Sequence, residues 1–288
     1  MQLSYPDRLY WPELGLRKRD LAEYYLRASR VVLPHLHDRP FTIKQHYTVP
    51  RGPFRWIKDA PPALPAWVPV SPQPAKSRGG AVVRYPLVQD VETLLWLVDF
   101  GVVDLHAWPS RADRPDRPDY VLFDLDPAGV DFAHVVRAAL LVRDALTALG
   151  LESYPMTTGG DGMHVRVPVA RSHTHADTRA FAEMVGSALV RVSDGLVTME
   201  RSRARRHGVF LDAKMNGHGQ QLVAPYSVRP LPGAPVATPL RWDELDDSLE
   251  PTAFPPAAVL DRIGRHGDLY APLLHGRQRL DHAVEGSA

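Results

Sequence analysis

The chain has 288 residues, 44% of them hydrophobic and 23% charged, the balance of a folded globular protein and too apolar for wholesale disorder. It contains no cysteine, which excludes disulfides, thiolate metal sites and cysteine nucleophiles. A net charge of +1 advertises no anionic partner, and neither a membrane span nor an export signal is readable, so a cytoplasmic protein is expected.

Arg17–Leu33 places Leu21, Tyr24, Tyr25, Ala28, Val31 and Val32 at helical spacing, and Pro34 is expected to stop that helix. Val91–Phe100 reads as a short helix ending before Gly101. Val102–Trp108 and Tyr120–Leu125 read as strands, the second closed by Pro127. Phe132–Leu149 has helical amphipathic spacing, with Gly150 as its C-terminal cap. His164–Val169 alternates as a strand, and Thr178–Val192 reads as a helix. Val209–Asp212 and Gln221–Val223 are short strands, and Ala257–Gly264 is a terminal helix. Of the 28 prolines, 16 cluster in four loop regions, near 61–74, 111–118, 225–239 and 251–256. The order strand, helix, strand, helix, strand implies an α+β fold, a mixed sheet with helices on one face.

Of the 34 basic residues 29 are arginine, a bias that a GC-rich genome produces without any functional cause. Their clustering says more: between Arg201 and Arg229 six basic residues surround a single acid, Asp212. Asp124-Leu125-Asp126 is the first chemical signal. On a strand, alternate side chains share a face, so Asp124 and Asp126 point the same way while Phe123 and Leu125 point into the core. Two carboxylates on one face repel unless a cation or a proton sits between them, and divalent metals favour such oxygen ligands. A solvated strand end is the bland reading. Asp212, ending the apolar run Gly208–Leu211, offers a third carboxylate, or a plain salt-bridged strand end. Three converging carboxylates would suit two metals handling a triphosphate. Thr157-Thr158-Gly159-Gly160-Asp161-Gly162-Met163-His164 could bring backbone amides and hydroxyls against a phosphate, or be a simple glycine turn. The pairs His35/His37, His173/His175 and His207/His218 lack the H-E-x-x-H helix of a zinc site and are expected at the surface. Neither the phosphate loop of ATPases, nor G-x-G-x-x-G, nor the G-x-S-x-G elbow is present.

Together these pieces resemble the archaeo-eukaryotic primase–polymerase superfamily, in its bacterial branch of ligase D polymerase domains and their stand-alone relatives. The likeness is carried by Tyr5-Pro6-Asp7-Arg8, Asp20-Leu21-Ala22-Glu23-Tyr24-Tyr25, Leu33-Pro34-His35-Leu36, Leu105-His106-Ala107-Trp108, Val121-Leu122-Phe123-Asp124-Leu125-Asp126-Pro127, Gly159–His164, Phe210-Leu211-Asp212, Ala224-Pro225-Tyr226-Ser227-Val228-Arg229 and Thr238–Leu245. The resemblance implies a primase–polymerase-like catalytic core with a mixed sheet and flanking helices, plus an N-terminal α/β subdomain. Residues 1–288 would form one catalytic unit: about 1–100 the N-terminal subdomain, about 101–245 a palm-like core with the acidic triad, and about 246–288 a C-terminal helical tail. It assigns two divalent ions, Mn2+ or Mg2+, to Asp124, Asp126 and Asp212, and the incoming nucleoside triphosphate (NTP or dNTP) to His106, Thr158, Gly159, His164 and Arg229. Arg8, Lys18, Trp56 and Lys58 are the matching DNA-binding candidates: Arg8 and Lys18 for a 5′-phosphate, Trp56 for stacking on template bases.

The resemblance further implies template-directed nucleotidyl transfer with a preference for ribonucleotides, in gap filling or end joining. The expected partners are gapped or broken DNA, Ku and a separate DNA ligase, with no membrane and a nucleoid-associated location. Two positions depart from the family pattern. Asp161 stands where lysine is common, and Tyr5 where many relatives have asparagine. The first motivates an alternative: a catalytically weak or inactive DNA-end or nucleotide-binding protein of the same fold.

Overall fold

The computed structural model describes residues 2–74 and 79–280, and its contacts divide the α+β chain into two units. The first comprises Met1–Asp113, Gln221–Ala237 and Phe254–Gly267, and the second Arg114–Gln220, Thr238–Ala253 and Asp268–Ala288. In chain order the first elements are β1 (Leu9–Trp11), β2 (Leu16–Arg17), α1 (Lys18–Leu36), β3 (Phe41–His46), β4 (Phe54–Ile57), β5 (Val70–Pro74), β6 (Val82–Pro86), α2 (Val91–Asp99) and β7 (His106–Ala107). There follow β8 (Tyr120–Ala128), α3 (Phe132–Ala148), β9 (Tyr154–Thr157), β10 (Met163–Pro168), α4 (His175–Val192), β11 (Val197–Thr198), β12 (Gly208–Leu211), β13 (Leu222–Val223), β14 (Thr238–Pro239) and α5 (Pro256–His266). Among the described residues no helix is long and apolar enough to cross a membrane.

In the first unit α1 lays Leu21, Tyr24, Tyr25, Ala28, Val31 and Val32 into a core shared with α2, α5 and Phe41 and Ile43 of β3. Pro34 does not stop α1, which continues to Leu36 with His37 N–H bonded to the Leu33 carbonyl at 2.8 Å. Proline removes one ladder hydrogen bond, and burial of Val32, His35 and Leu36 offsets that loss. Two tyrosine hydroxyls tie distant segments together. Tyr24 Oη donates to the Tyr226 carbonyl at 2.8 Å, and Tyr25 Oη donates to the Val103 carbonyl at 2.6 Å while accepting Val228 N–H at 3.0 Å. A four-stranded sheet runs in the order β13-β7-β3-β4, and β5 pairs with β6. The expected strand over Val102–Trp108 shrinks to His106–Ala107. Its backbone groups are claimed elsewhere: Val103 by Tyr25, Leu105 N–H by Ser227 Oγ, and the Leu105 carbonyl by Ala224 N–H.

The second unit is a six-stranded mixed sheet, β11-β12-β8-β10-β9-β14, parallel only between β11 and β12. Helices α3 and α4 pack beside each other against it. Helix α4 starts three residues before the expected Thr178, because Thr174 and Asp177 form a reciprocal capping box. Gly150, just past α3, takes the left-handed φ of +71° that ends a helix without a Cβ penalty. Pro127 does not close β8, which runs to Ala128. Asp212 N–H bonds the Asp124 carbonyl and Phe210 faces Asp126, so Pro127 falls between hydrogen-bonded pairs on the β12 side. Its missing N–H points to the other side, where pairing with β10 has ended at Leu125. Three histidines expected at the surface, His35, His173 and His175, are buried. His173 Nε2 accepts Leu280 N–H at 3.2 Å, and the His175 ring reaches the Asn216 and Pro115 carbonyls, so these three mark packing, while His37, His207 and His218 are exposed as expected.

Replacing Tyr25 by Phe leaves the Val103 carbonyl and Val228 N–H without the hydroxyl in a dry core. Urea unfolding is expected to show a loss of about 2 kcal/mol.

Candidate active site

The register of β8 sorts its side chains. Val121, Phe123 and Leu125 are fully buried, and Phe123 meets Phe181 of α4 edge-on, with ring centroids 6.4 Å apart. Leu122, Asp124 and Asp126 therefore occupy the opposite face. His164 of β10 lies directly across from Asp124, and Asp212, immediately after β12, lies across on the other side through its N–H bond to the Asp124 carbonyl at 2.9 Å. Asp212, Asp124 and His164 thus form a row across three adjacent strands, with Asp126 two residues along β8.

His164 Nε2 is 3.2 Å from Asp124 Oδ1, and Arg166 Nη2 is 3.3 Å from His164 Nδ1. A guanidinium can only donate, so Nδ1 accepts and the ring proton sits on Nε2, aimed at Asp124. Arg166 is buried, its guanidinium 4.8 Å from the Tyr120 ring centroid and 5.7 Å from that of Tyr270. Asp212 caps the turn that follows it, accepting Lys214 N–H at 3.0 Å. Asp126 is the strained member. Burial, then the charges of Asp124, Asp161 and Asp212, push its carboxyl up to about 7, against the opposing pull of Arg206. The Arg206 guanidinium lies 3.3 Å from the Phe210 ring centroid. A cavity of about 570 Å³ opens beside these groups, lined by Asp126, Gly129, Asp161, Arg203, Arg206 and His207.

The donor set is all oxygen and carries surplus negative charge, which fits a hard divalent cation. Among the described residues no three His, Asp or Glu side chains close into a ready coordination shell. The carboxylates are near enough to one another to raise Asp126.

The glycine turn closes on itself. Thr158 N–H and Oγ1 both donate to the Gly162 carbonyl, at 3.0 and 3.1 Å, and Gly160 N–H donates to Thr158 Oγ1 at 3.2 Å. Gly159 holds φ +68°, and a Cβ on Gly162 would stand 2.7 Å from the Leu125 carbonyl and 2.8 Å from Asp126 Oδ1. Glycine at 162 is what lets the turn sit against the acidic strand. Asp161 is exposed and adds its charge to Asp126.

The remaining candidates belong to the first unit. His106 is buried beside Trp56, with ring centroids 5.0 Å apart and edge-on. Trp56 is 47% exposed, and Lys58 just beyond β4 is half-buried. Arg229 binds the Pro235 carbonyl through its backbone N–H at 2.7 Å. Lys18 departs from expectation. It is 4% exposed, and its ammonium reaches the Ser4 carbonyl, Ser4 Oγ, the Asp99 carbonyl and Asp99 Oδ1 at 2.5–3.1 Å. Three N–H bonds serve four oxygens, so none is left for a phosphate. Burial of Asp99 would raise its carboxyl, but bonds from Lys18 and Ser4 outweigh that and lower it. Arg8, by contrast, is exposed, its guanidinium 4.7 Å from the Tyr5 ring centroid. Asp104, Lys44 and His46, which the linear pattern does not mark, form an ion cluster with His106. Alternation of Lys44 and His46 along one strand is the only signal of it in the sequence.

The sequence matches the family described as LigD, primase-polymerase domain, over residues 17–270. It is 32% identical over 278 residues to the multifunctional non-homologous end joining protein LigD of Mycolicibacterium smegmatis, covering 95% of this chain and 36% of that protein. It is 28% identical over 270 residues to the bifunctional non-homologous end joining protein LigD of Bacillus subtilis, covering 93% of this chain and 43% of that one. The chain thus spans well under half the length of these relatives. The fold matches the polymerase domain from Mycobacterium tuberculosis ligase D in complex with DNA at a TM-score of 0.88 and 27% identity, covering 96% of this chain and 99% of that one.

A carboxyl that ionises at about 7 when folded, and near 4 when unfolded, binds its proton more tightly in the folded chain. Folding stability therefore falls as pH rises from about 4 to about 7 and levels off above. Thermal melts of the metal-free protein between pH 5 and 8 are expected to show that fall, and Asp126→Asn to flatten it and melt higher at pH 8. Added Mn2+ should raise the wild-type melting temperature at pH 8 and leave Asp126→Asn nearly unmoved.

Proposed function

The chain belongs to the LigD primase–polymerase domain family, a family of nucleotidyltransferases, and we propose that it extends a primer against a template at DNA gaps or broken ends in end-joining repair. The observation that carries this reading is the row of Asp212, Asp124 and His164 across three strands, with the under-neutralised Asp126 beside it. In this reading Asp124, Asp126 and Asp212 hold the divalent ions. When bound, two such ions would activate the primer 3′-hydroxyl and neutralise the departing pyrophosphate.

The protein's own share is to bind and orient. His164 donates to Asp124 and keeps that carboxylate turned into the site. Thr158 shapes the glycine turn, and Thr158, Gly159 and His164 are triphosphate contacts on the strength of the family pattern. His106 and Arg229 are nucleotide contacts on the strength of the family pattern. No nucleophile–base pair is needed, because the attacking group is the primer itself. We further propose ribonucleotides as the preferred substrate, and Ku and a separate ligase as partners, following the end-joining names of the relatives.

The second reading, a binding protein with little turnover, draws on Asp161. Its negative charge adds to the repulsion at Asp126, where a triphosphate brings more of the same sign. Primer extension with Mn2+ separates the two. The polymerase reading expects extension by the wild type and background levels for Asp124→Ala, Asp126→Ala and Asp212→Ala, with the fold intact by circular dichroism. DNA binding without extension by the wild type would favour the second reading.

For the DNA end, Arg8 carries the 5′-phosphate contact and Lys18 holds the segment around Ser4 in place. Arg8→Ala is expected to lose any preference for 5′-phosphorylated over unphosphorylated gaps in competition binding. Lys18→Ala is expected to lower the melting temperature, since it leaves the partly buried Asp99 carboxylate unpaired.

A further inference from the structure

Asp104 is fully buried and lies outside the acidic row. Its Oδ2 accepts His106 Nε2–H at 2.8 Å and Lys44 Nζ at 2.9 Å, and its Oδ1 is 3.6 Å from His46 Nε2. The sheet register builds this cluster: Thr42 faces His106, Lys44 faces Trp56 and His46 faces Phe54, so all six share one side of β7, β3 and β4. A buried carboxylate persists only beside compensating charge, and Lys44 supplies it. Burial would raise the Asp104 carboxyl, but the hydrogen bond from His106, the His46 ring facing it and the nearby Lys44 charge hold it well below the usual carboxylate range.

His106 responds oppositely. Burial lowers its imidazole, the bond and charge of Asp104 resist, and Arg229 and Lys44 add to the lowering, with a net downward result. The ring is then neutral near pH 7. An ionised carboxylate only accepts, so the single ring proton is on Nε2 and Nδ1 carries a lone pair. That Nδ1 is buried and makes no hydrogen bond among the described residues. A phosphate oxygen is itself an acceptor and cannot complete it. A hydroxyl can.

We propose that Asp104 is a positioning residue for the nucleotide-facing histidine, holding His106 as the neutral Nε2–H tautomer so that Nδ1 accepts a hydrogen bond from a hydroxyl of the bound nucleotide. The functional half rests on the reading that His106 contacts nucleotide; the tautomer does not.

Long-range 1H–15N spectra of the full chain labelled with 15N-histidine test the tautomer, with His106 assigned through His106→Gln. The wild type at pH 7 is expected to show a protonated Nε2 and a bare Nδ1, and Asp104→Glu to keep that pattern. Asp104→Asn, which can donate as well as accept, is expected to give a mixture. An Nδ1–H or doubly protonated ring in the wild type would overturn the proposal, and this measurement needs no variant of Asp104 to fold. In primer extension, Asp104→Asn is expected to raise the nucleotide KM about tenfold, the scale of one lost hydrogen bond, with kcat little changed. Asp104→Glu should restore KM, and adding Asp104→Asn to His106→Gln should cost nothing more. Additive losses would overturn the positioning role. An unchanged KM in His106→Gln would overturn the nucleotide-contact reading while the spectra still decide the tautomer.

Discussion

Mutual repulsion among carboxylates at the end of β8 is the constraint around which the second unit is arranged. Asp124, Asp126 and Asp212 are held on one face by strand alternation and by a backbone bond between Asp212 and Asp124, so they cannot swing apart at will. The surroundings answer in distinct ways. His164, backed by the buried Arg166, offers a donor to Asp124. Lys214 N–H occupies part of Asp212. Asp126 has only the Arg206 charge against three acids, and its carboxyl rises to about 7. The opposite face of the same sheet is apolar and packed by α3 and α4, and that burial offsets the cost of a crowded acidic edge.

Two buried or half-buried aspartates in this chain show opposite solutions to one electrostatic problem. Asp104 is closed: Lys44 balances it, His106 and His46 face it, and its carboxyl is driven down. Asp126 is open: desolvated, surrounded by its own kind, and driven up. A saturated carboxylate organises its neighbours, whereas an unsaturated one creates demand for a cation. The contrast separates an aspartate that orients a side chain from one suited to hold an ion.

Side chains that look basic and available in a linear reading divide the same way. Lys18 and Arg8 stand ten residues apart in a region rich in charge, yet one has all its donors engaged inside and the other reaches outward. Tyr5 adopts a φ of +48° beside Arg8 and gives its ring to that guanidinium. Asp161, standing where the family favours lysine, keeps its charge near Asp126 without entering the hydrogen bonds of the glycine turn. Of the two, only Asp161 changes local charge, and the family fold stays in place with both.

Period-two alternation alone puts Asp124 and Asp126 on one face, and apolar spacing alone places α2, α3 and α4 to within three residues. These features depend on neighbours along the chain, where a pattern of polar and apolar residues is enough. Strands β4 and β5 leave no such trace, because their apolar residues Phe54, Trp56 and Val70 are exposed while Ser71 and Gln73 are buried, the reverse of the usual sheet pattern. Pro34 and Pro127 have an intrinsic preference for breaking elements, and burial at the first and an unpaired ladder edge at the second overrule it. The bonds of Lys18 to Asp99 and of Lys44 to Asp104 join residues 81 and 60 positions apart. Which cation meets which carboxylate across such distances follows from how strands register and how the core packs, and one-dimensional spacing carries no record of it.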